Sequence, residues 1–515
     1  MSILVRPAPR VRPAPGVRPA PGVRPAPGVR PAPGQLSAGL ETGLPRLPIE
    51  PDWKLQQRLW GHSFHPMCSY LASFPAGLAH AFIARYSRRG DVVLDPFSGR
   101  GTTPLQACAE GRIGAGNDLN PLAHLLTAAK VDPPTTEELT ARLRDLRRAR
   151  GAESRSWEEL ARAAIDSAGS EGVPVAPAGG RGEAAPLPLE VAVCFHPTTL
   201  AGVLFLRASL DAADRTDRFL AAATVGILHG KTTSYLSDLM PNTFSMAPRY
   251  VRDFAARRSY VAAPRDVFAA LDSKLRRLAR QPPPDARGIA LLGDARDVAG
   301  RLESALRDRS LPRSARLVVT SPPYLRVVKY GAANWLRLWF MGIDSGAVDT
   351  ALDDAHRPPE YLRFVREVLA GMRPILSDDA IVVLVIGDVE LDRGRRLRGG
   401  IGLAERAWEE AAEPEGYRLA GIALDSIAAH RKMTKIWGDQ AGRATRTDRL
   451  LVFAPTELGR ARALAGARFP VDWRWPPQRR SASRHGSGAR PQGVAGLRTV
   501  TSPILAGYAA DVPPR

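Results

Sequence analysis

Short apolar runs that end in an acidic residue recur along the middle of the chain and set its rhythm. "DVVLD" (91–95) is apolar at consecutive positions, as a strand buried on both faces of a parallel sheet must be. "TTPLQACAEG" (102–111) follows with helical spacing and a closing Gly111, and "IGAGND" (113–118) predicts a second strand. "NPLAHLLTAAK" (120–130) predicts the next helix, with Asn120 as its N-cap and Pro121 in its first turn. The alternation then breaks. Residues 136–281 hold several helical stretches, interrupted by a Gly/Pro/Ala-rich linker at 168–188. It resumes with strands at 289–295, 316–320 and 380–388 and helices at 359–376 and 403–412. Strands 417–427 and 448–455 leave no room for a crossover helix between them, so they pair as an antiparallel hairpin. Strand alternating with helix predicts an α/β fold: a seven-stranded, mostly parallel, doubly wound sheet with an antiparallel terminal hairpin and a helical insert.

Composition adds a partner class. The chain has 515 residues and a formal net charge of +20, an excess that favours a polyanion, nucleic acid before a membrane surface. Part of it lies in the flanks: residues 1–50 carry +5 and residues 457–515 carry +7, which leaves +8 for the middle. Residues 5–34 are five tandem copies of V-R-P-A-P-[R/G]. Two prolines in six residues exclude helix and sheet there and leave polyproline II or disorder. In polyproline II the period would align every repeat arginine on one face for DNA phosphates; the competing reading is a low-complexity extension without a role. Cys68, Cys108 and Cys194 give neither a disulfide framework nor a metal spacing. No apolar run is long enough to span a membrane and no signal-peptide core opens the chain. A cytoplasmic protein with no membrane partner is the expectation.

The chemistry sits at the strand ends. In "LDPFSGRGTTPL" (94–105), Gly99 and Gly101 remove side chains where a ligand must approach the backbone, and the following helix offers free N–H groups. The third glycine of the dinucleotide fingerprint is absent and no Lys-Ser/Thr follows, so neither NAD nor a nucleotide phosphate is the natural tenant. Asp118 ends the second strand, where an acid suits two ribose hydroxyls. A ligand with an amino-acid end, a ribose and an adenine but no phosphate is S-adenosylmethionine. Asp294, ending the third strand, is placed to accept from the adenine amine. At 316–324, "RLVVTSPPY", two prolines follow a buried strand and fix the backbone just ahead of Tyr324.

These motifs together resemble the amino-methyltransferases of DNA, which make N4-methylcytosine or N6-methyladenine. DPFSGRGTT is similar to their cofactor motif and TSPPY to their catalytic tetrapeptide; "HPMCSYLASFPAGLAHAFI" (65–83) resembles the segment that helps hold the methionine end. The resemblance covers about residues 60–135 and 285–456. It implies a Rossmann-like methyltransferase fold, cofactor contacts from Asp95, Pro96, Phe97, Gly99, Gly101, Thr102, Thr103, Asp118, Asn120 and Asp294, and catalysis by Ser321, Pro322, Pro323 and Tyr324. The exocyclic amine is a poor nucleophile because its lone pair is delocalised into the ring. An acceptor at Ser321 with the Pro322 carbonyl draws on both amine hydrogens, and Tyr324 stacks on the flipped base. The substrate so implied is double-stranded DNA, with the enzyme a guard beside a separately acting restriction endonuclease or a solitary modifier. Ser321, where adenine enzymes more often carry Asp or Asn, favours cytosine N4.

Other residues enter more weakly. Arg326 and Lys329 flank the tetrapeptide, and Arg431, Lys432 and Lys435 crowd the hairpin loop 430–446; all are candidates for DNA phosphates. Residues 229–260, rich in Ser/Thr/Asn, Tyr and Arg, are a candidate reading surface. His62 and His65 complete no metal set and read as packing or cofactor-shell residues. Arg100 occupies a position that is commonly small in the family. The expected layout is a Pro/Arg repeat arm (1–50), a catalytic domain (51–135 and 285–456), a helical insert (136–284) and a basic tail without a core (457–515). An enzyme of the same fold acting on RNA or a protein amide, and a non-catalytic DNA-binding module, are the alternatives.

Overall fold

The structure, a computed structural model, describes residues 43–57, 59–169, 172–180, 183–323, 329–352, 357–387, 402–426 and 447–475. Seven strands form one sheet: β1 (Val92–Asp95), β2 (Ile113–Asp118), β3 (Ile289–Leu292), β4 (Ala315–Thr320), β5 (Leu376–Gly387), β6 (Arg418–Ser426) and β7 (Thr447–Ala454). Their order is β3-β2-β1-β4-β5-β7-β6. β7 runs antiparallel to both its neighbours, and the other pairs are parallel. The expected α/β sheet and its closing hairpin are both present. Strand order reverses between β1 and β4, and in open α/β sheets the crevice beyond such a point receives the ligand. Both motif turns therefore leave adjacent strands at the same edge of the sheet.

Both faces of the sheet are covered, which explains the continuous apolar runs. Val92, Leu94, Val318 and Val382 point to one face with α4 (Val298–Asp308) and α5 (Pro358–Met372). Val93, Leu317, Val319 and Ile381 point to the other, under α1 (Ala76–Tyr86). Helices α2 (Thr102–Ala109) and α3 (Pro121–Val131) follow β1 and β2. The insert does not stand apart: Leu143, Leu204, Phe219 and Leu271 share one core with Leu122 and Leu126 of α3, and with Leu336 and Leu338 beyond β4. A two-stranded ribbon, Pro174–Val175 with Ala185–Pro186, lies within the expected linker.

The folded body extends past both ends expected for it. Residues assigned to the arm reach the edge strand: Leu47 N donates to Ile422 O at 2.9 Å, Ile422 N donates to Pro45 O at 2.9 Å, and Leu47 and Ile49 are buried. Gly421 makes this approach feasible, because a Cβ there would stand 2.5 Å from Pro45 O. Residues assigned to the basic tail form a helix, α6 (Glu457–Gly466). Its small inward residues, Gly459 and Gly466, pack so closely that a Cβ on either would stand 2.5 Å from Ala380 O or 2.7 Å from the Tyr86 ring. Glycine and alanine carry little hydrophobic signal in the sequence; here they mark tight packing. The repeat copies and residues beyond 475 lie outside the described residues. No helix among the described residues is long and apolar enough to cross a membrane.

Candidate active site

The turn after β1 is built from backbone upward. Asp95, 1% exposed at the strand tip, accepts from Phe97 N at 3.1 Å and from Thr320 Oγ1 at 2.6 Å. Thr103 Oγ1 donates to Val319 O at 3.0 Å. Two threonines thus lock the glycine turn to the strand that leads into the Ser-Pro-Pro-Tyr tetrapeptide. Burial pushes the Asp95 carboxyl up to about 7, with the Thr320 bond opposing it. Gly101 has φ of 75°, and a Cβ there would meet Thr127 Oγ1 at 2.9 Å, so this position admits only glycine without strain.

Asp118 faces the same turn. Its Oδ2 accepts from Gly99 N at 2.8 Å and its Oδ1 from Asn120 N at 2.9 Å. Each oxygen keeps a second lone pair, one for each hydroxyl of a ribose diol, so the carboxylate suits S-adenosylmethionine as it stands. Burial raises its pKa to about 6, against the pull of the backbone donors of Asn120, Gly99 and Leu119. Asn120 caps α3 by accepting from Leu122 N at 3.0 Å and donates to Tyr70 Oη at 3.0 Å. The Tyr70 ring stacks on Tyr330, centroids 5.6 Å apart and planes 19° off parallel. Pro96 O accepts from Asn117 Nδ2 at 3.2 Å, the Phe97 ring lies 5.7 Å from that of Phe364, and Thr102 Oγ1 accepts from Arg100 Nε at 3.4 Å. Asp294 is differently engaged. It caps the turn that follows through Arg296 N at 2.9 Å and holds the Arg296 guanidinium at 2.7 Å, so its acceptors are already in use.

At the tip of β4, Ser321 Oγ is buried without a hydrogen-bond partner among the described residues. Pro322 is buried and Pro323 half-buried beside it. Tyr324, Arg326, Arg431, Lys432 and Lys435 lie outside the described residues. Lys329 is exposed. Beyond it the chain is stitched to the insert: Arg337, 1% exposed, donates to Asn334 Oδ1 at 2.6 Å and to Asn242 O at 2.7 Å, and Ser245 N donates to Ala333 O at 2.6 Å. Asn242 Nδ2 in turn reaches Ser69 Oγ at 3.2 Å. The candidate reading segment is therefore fixed against the mouth of the site over residues 242–245.

Sequence reading missed three of these residues. Asn117, fully buried, also donates to Gly293 O at 2.9 Å and so ties the cofactor turn to the end of β3. Tyr70 was inside a recognised segment without a role of its own. Arg337 carried a signal, a lone cation in the apolar run "WLRLWF".

A family model described as DNA methylase, for N6 and N4 methyltransferases, matches residues 48–128. Over 85 residues the chain is 32% identical to the type II methyltransferase M.MjaII of Methanocaldococcus jannaschii, a stretch covering 16% of this chain and 16% of that protein. Among solved structures, TrmN of Thermus thermophilus aligns over 76% of this chain and 52% of its own, at 12% identity and a TM-score of 0.26. The rRNA methyltransferase aviRa of Streptomyces viridochromogenes aligns over 76% and 92%, at 13% identity and a TM-score of 0.27. The matched residues include β1, the glycine turn, α2, β2 and Asp118, so the similarity to the N6/N4 DNA methylases, a family whose methyl donor is S-adenosylmethionine, falls on the half of the sheet that carries the glycine turn.

Proposed function

We propose that the chain methylates the exocyclic N4 amine of cytosine in double-stranded DNA. One observation carries the reading. A buried hydroxyl with no partner costs about 1–3 kcal/mol, and Ser321 Oγ is such a group at the strand tip beside the cofactor turn. Its natural partner is a substrate amine. Ser321 Oγ and the Pro322 carbonyl accept the two amine hydrogens, which favours a pyramidal nitrogen with its lone pair available. Neither proline has an N–H to compete for these acceptors. Bound S-adenosylmethionine supplies the electrophilic methyl group. Tyr324 gives the flipped base a face to stack on.

Cytosine is favoured over adenine because a neutral hydroxyl oxygen draws less strongly on amine hydrogens than the carboxylate more common in adenine enzymes. The net charge of +20 supports a DNA partner, with Arg326, Lys329, Arg431, Lys432 and Lys435 as phosphate contacts and residues 229–260 as the reading surface. The test is to incubate the chain with duplex DNA and S-adenosylmethionine, digest to nucleosides and weigh them. N4-methyldeoxycytidine is expected; N6-methyldeoxyadenosine as sole product overturns the choice of base, and no methylated deoxynucleoside overturns the DNA reading. Ser321→Ala should lower kcat on the order of 100-fold, as removal of a single transition-state contact does, with cofactor affinity unchanged.

A further inference from the structure

The segment ahead of the glycine turn and the segment that follows the tetrapeptide meet in a closed ring of contacts with no part in the proposed reaction. Tyr70 and Tyr330 stack, with centroids 5.6 Å apart. Tyr330 O accepts from Asn334 Nδ2 at 2.9 Å, and Asn334 Oδ1 accepts from Arg337 at 2.6 Å. Arg337 also donates to Asn242 O at 2.7 Å, and Asn242 Nδ2 donates to Ser69 Oγ at 3.2 Å. Ser69 directly precedes Tyr70, so the path ends where it began. Asn334 and Arg337 are each 1% exposed, and both acceptors of the guanidinium are neutral. Removing either would strand a buried charge, so the ring holds or gives way as a unit.

One side of the ring bears on the glycine turn. A Cβ on Gly99 would stand 3.7 Å from Tyr70 Cε1, so the Tyr70 ring lies within contact range of that glycine. Asn120 Oδ1 is held by Leu122 N at 3.0 Å, which turns Nδ2 toward Tyr70 and makes the phenol oxygen the acceptor, also at 3.0 Å. Asn120 N is in turn bound by Asp118. Burial first, then the charge of Asp118, pushes both phenols above the usual tyrosine range, so the two rings stack as neutral groups. The other side bears on the substrate half. Tyr330 opens the helical turn Tyr330–Ala333, whose Gly331 N and Ala332 N donate to Asp349 at 2.7 and 2.9 Å. Asn242 lies in the segment proposed to read DNA, and Ser321 precedes Tyr330 in the connection that leaves β4.

We propose that Tyr330 is a positioning residue that couples the two binding events through its stack on Tyr70, so that cofactor and DNA each bind more tightly in the presence of the other. The inference rests on the proposed DNA reading and assigns the coupling to one pair of rings. Each ligand restricts the pair from its own side, and the second to arrive loses less freedom in ordering it. The effect is reciprocal and of the size that linked sites show, roughly 5–150-fold in affinity. The contact is between aromatic faces, so phenylalanine at 330 preserves it and an aliphatic side chain does not.

Calorimetry on the full chain tests it, with S-adenosylhomocysteine, the demethylated cofactor, titrated alone and beside a saturating duplex that the wild-type chain methylates. The wild-type chain should bind it at least about 5-fold more tightly with the duplex present. Tyr330→Leu should keep the affinity measured without DNA within about two-fold, which also shows that it folds, and should lose the enhancement. Tyr330→Phe should keep both. A purely structural role would lower the melting temperature of Tyr330→Leu and leave the enhancement intact, which overturns the assignment. Loss of the enhancement in Tyr330→Phe as well, or its absence from the wild-type chain, also overturns it while the cofactor reading stands. Should Tyr330→Leu fail to fold, Tyr70→Phe carries the test: it keeps the stack and cuts the bond to Asn120, and an unchanged enhancement overturns the assignment. A wild-type chain that neither binds nor methylates duplex DNA overturns the DNA reading and this inference with it.

Discussion

Asp118 does two jobs with one carboxylate. It fixes the glycine turn through Gly99 N and Asn120 N, and under the proposed function it also takes the ribose diol. Asp118→Ala should therefore weaken S-adenosylhomocysteine by about 1–3 kcal/mol, the usual cost of stranded polar partners. The pH dependence follows from the same group. Both oxygens accept only when the carboxyl is ionised, and burial places that ionisation at about 6. Affinity should be flat above this value and fall as pH drops through it, and Asp118→Asn should flatten the profile. Calorimetry on either side of that pH checks both; a profile that rises on acidification contradicts the assignment. Asp95 and Asp118 were legible because an acid closing an apolar run at a strand end has few structural reasons to be there. Tyr70 and Tyr330 were not, because their stacking depends on β1 lying between β2 and β4, which no local pattern encodes.

Glycines in "IGAGND" weaken a strand by intrinsic preference, yet β2 needs them. A Cβ at Gly114 would stand 2.0 Å from Pro104 O in α2, which is backbone and cannot swing aside. Gly114→Ala should force α2 off the sheet and with it the turn 99–103. Overpacking of this kind costs about 1–3 kcal/mol or more. A lowered melting temperature together with weakened cofactor binding is the expected pair of results; unchanged values for both would mean the helix has room to shift. The strands themselves were legible because burial on both faces leaves uninterrupted Val, Leu and Ile. The ends were harder to read. Pro45 to Ile49 add to the sheet edge through backbone groups that any sequence owns, and α6 buries glycine and alanine, which carry little hydrophobic signal.

At the scale of the whole molecule, the residues after β7 close the face that the first hundred residues open. Arg462 bridges Asp379 at 2.7 Å and Tyr86 O at 2.6 Å, and Trp473 packs edge-on to Trp60 with centroids 5.7 Å apart. A chain ending at residue 475 should keep its fold and cofactor affinity. One ending at 456 should lose several kcal/mol through the exposed faces of α1 and β5 and unfold at a markedly lower temperature. Removal of residues 1–42 should leave both unchanged, whereas removal of 1–50 should not, because Leu47 and Ile49 go with it. Thermal melts of the four truncations decide this. His80 Nε2 meets the carbonyl of Asp472 at 2.9 Å, across 392 positions of sequence. On the ribosome, then, both motifs emerge long before the residues that finish their support. A product cut short before residue 457 carries both motifs but lacks the helix that covers α1 and β5, and should be the less stable molecule.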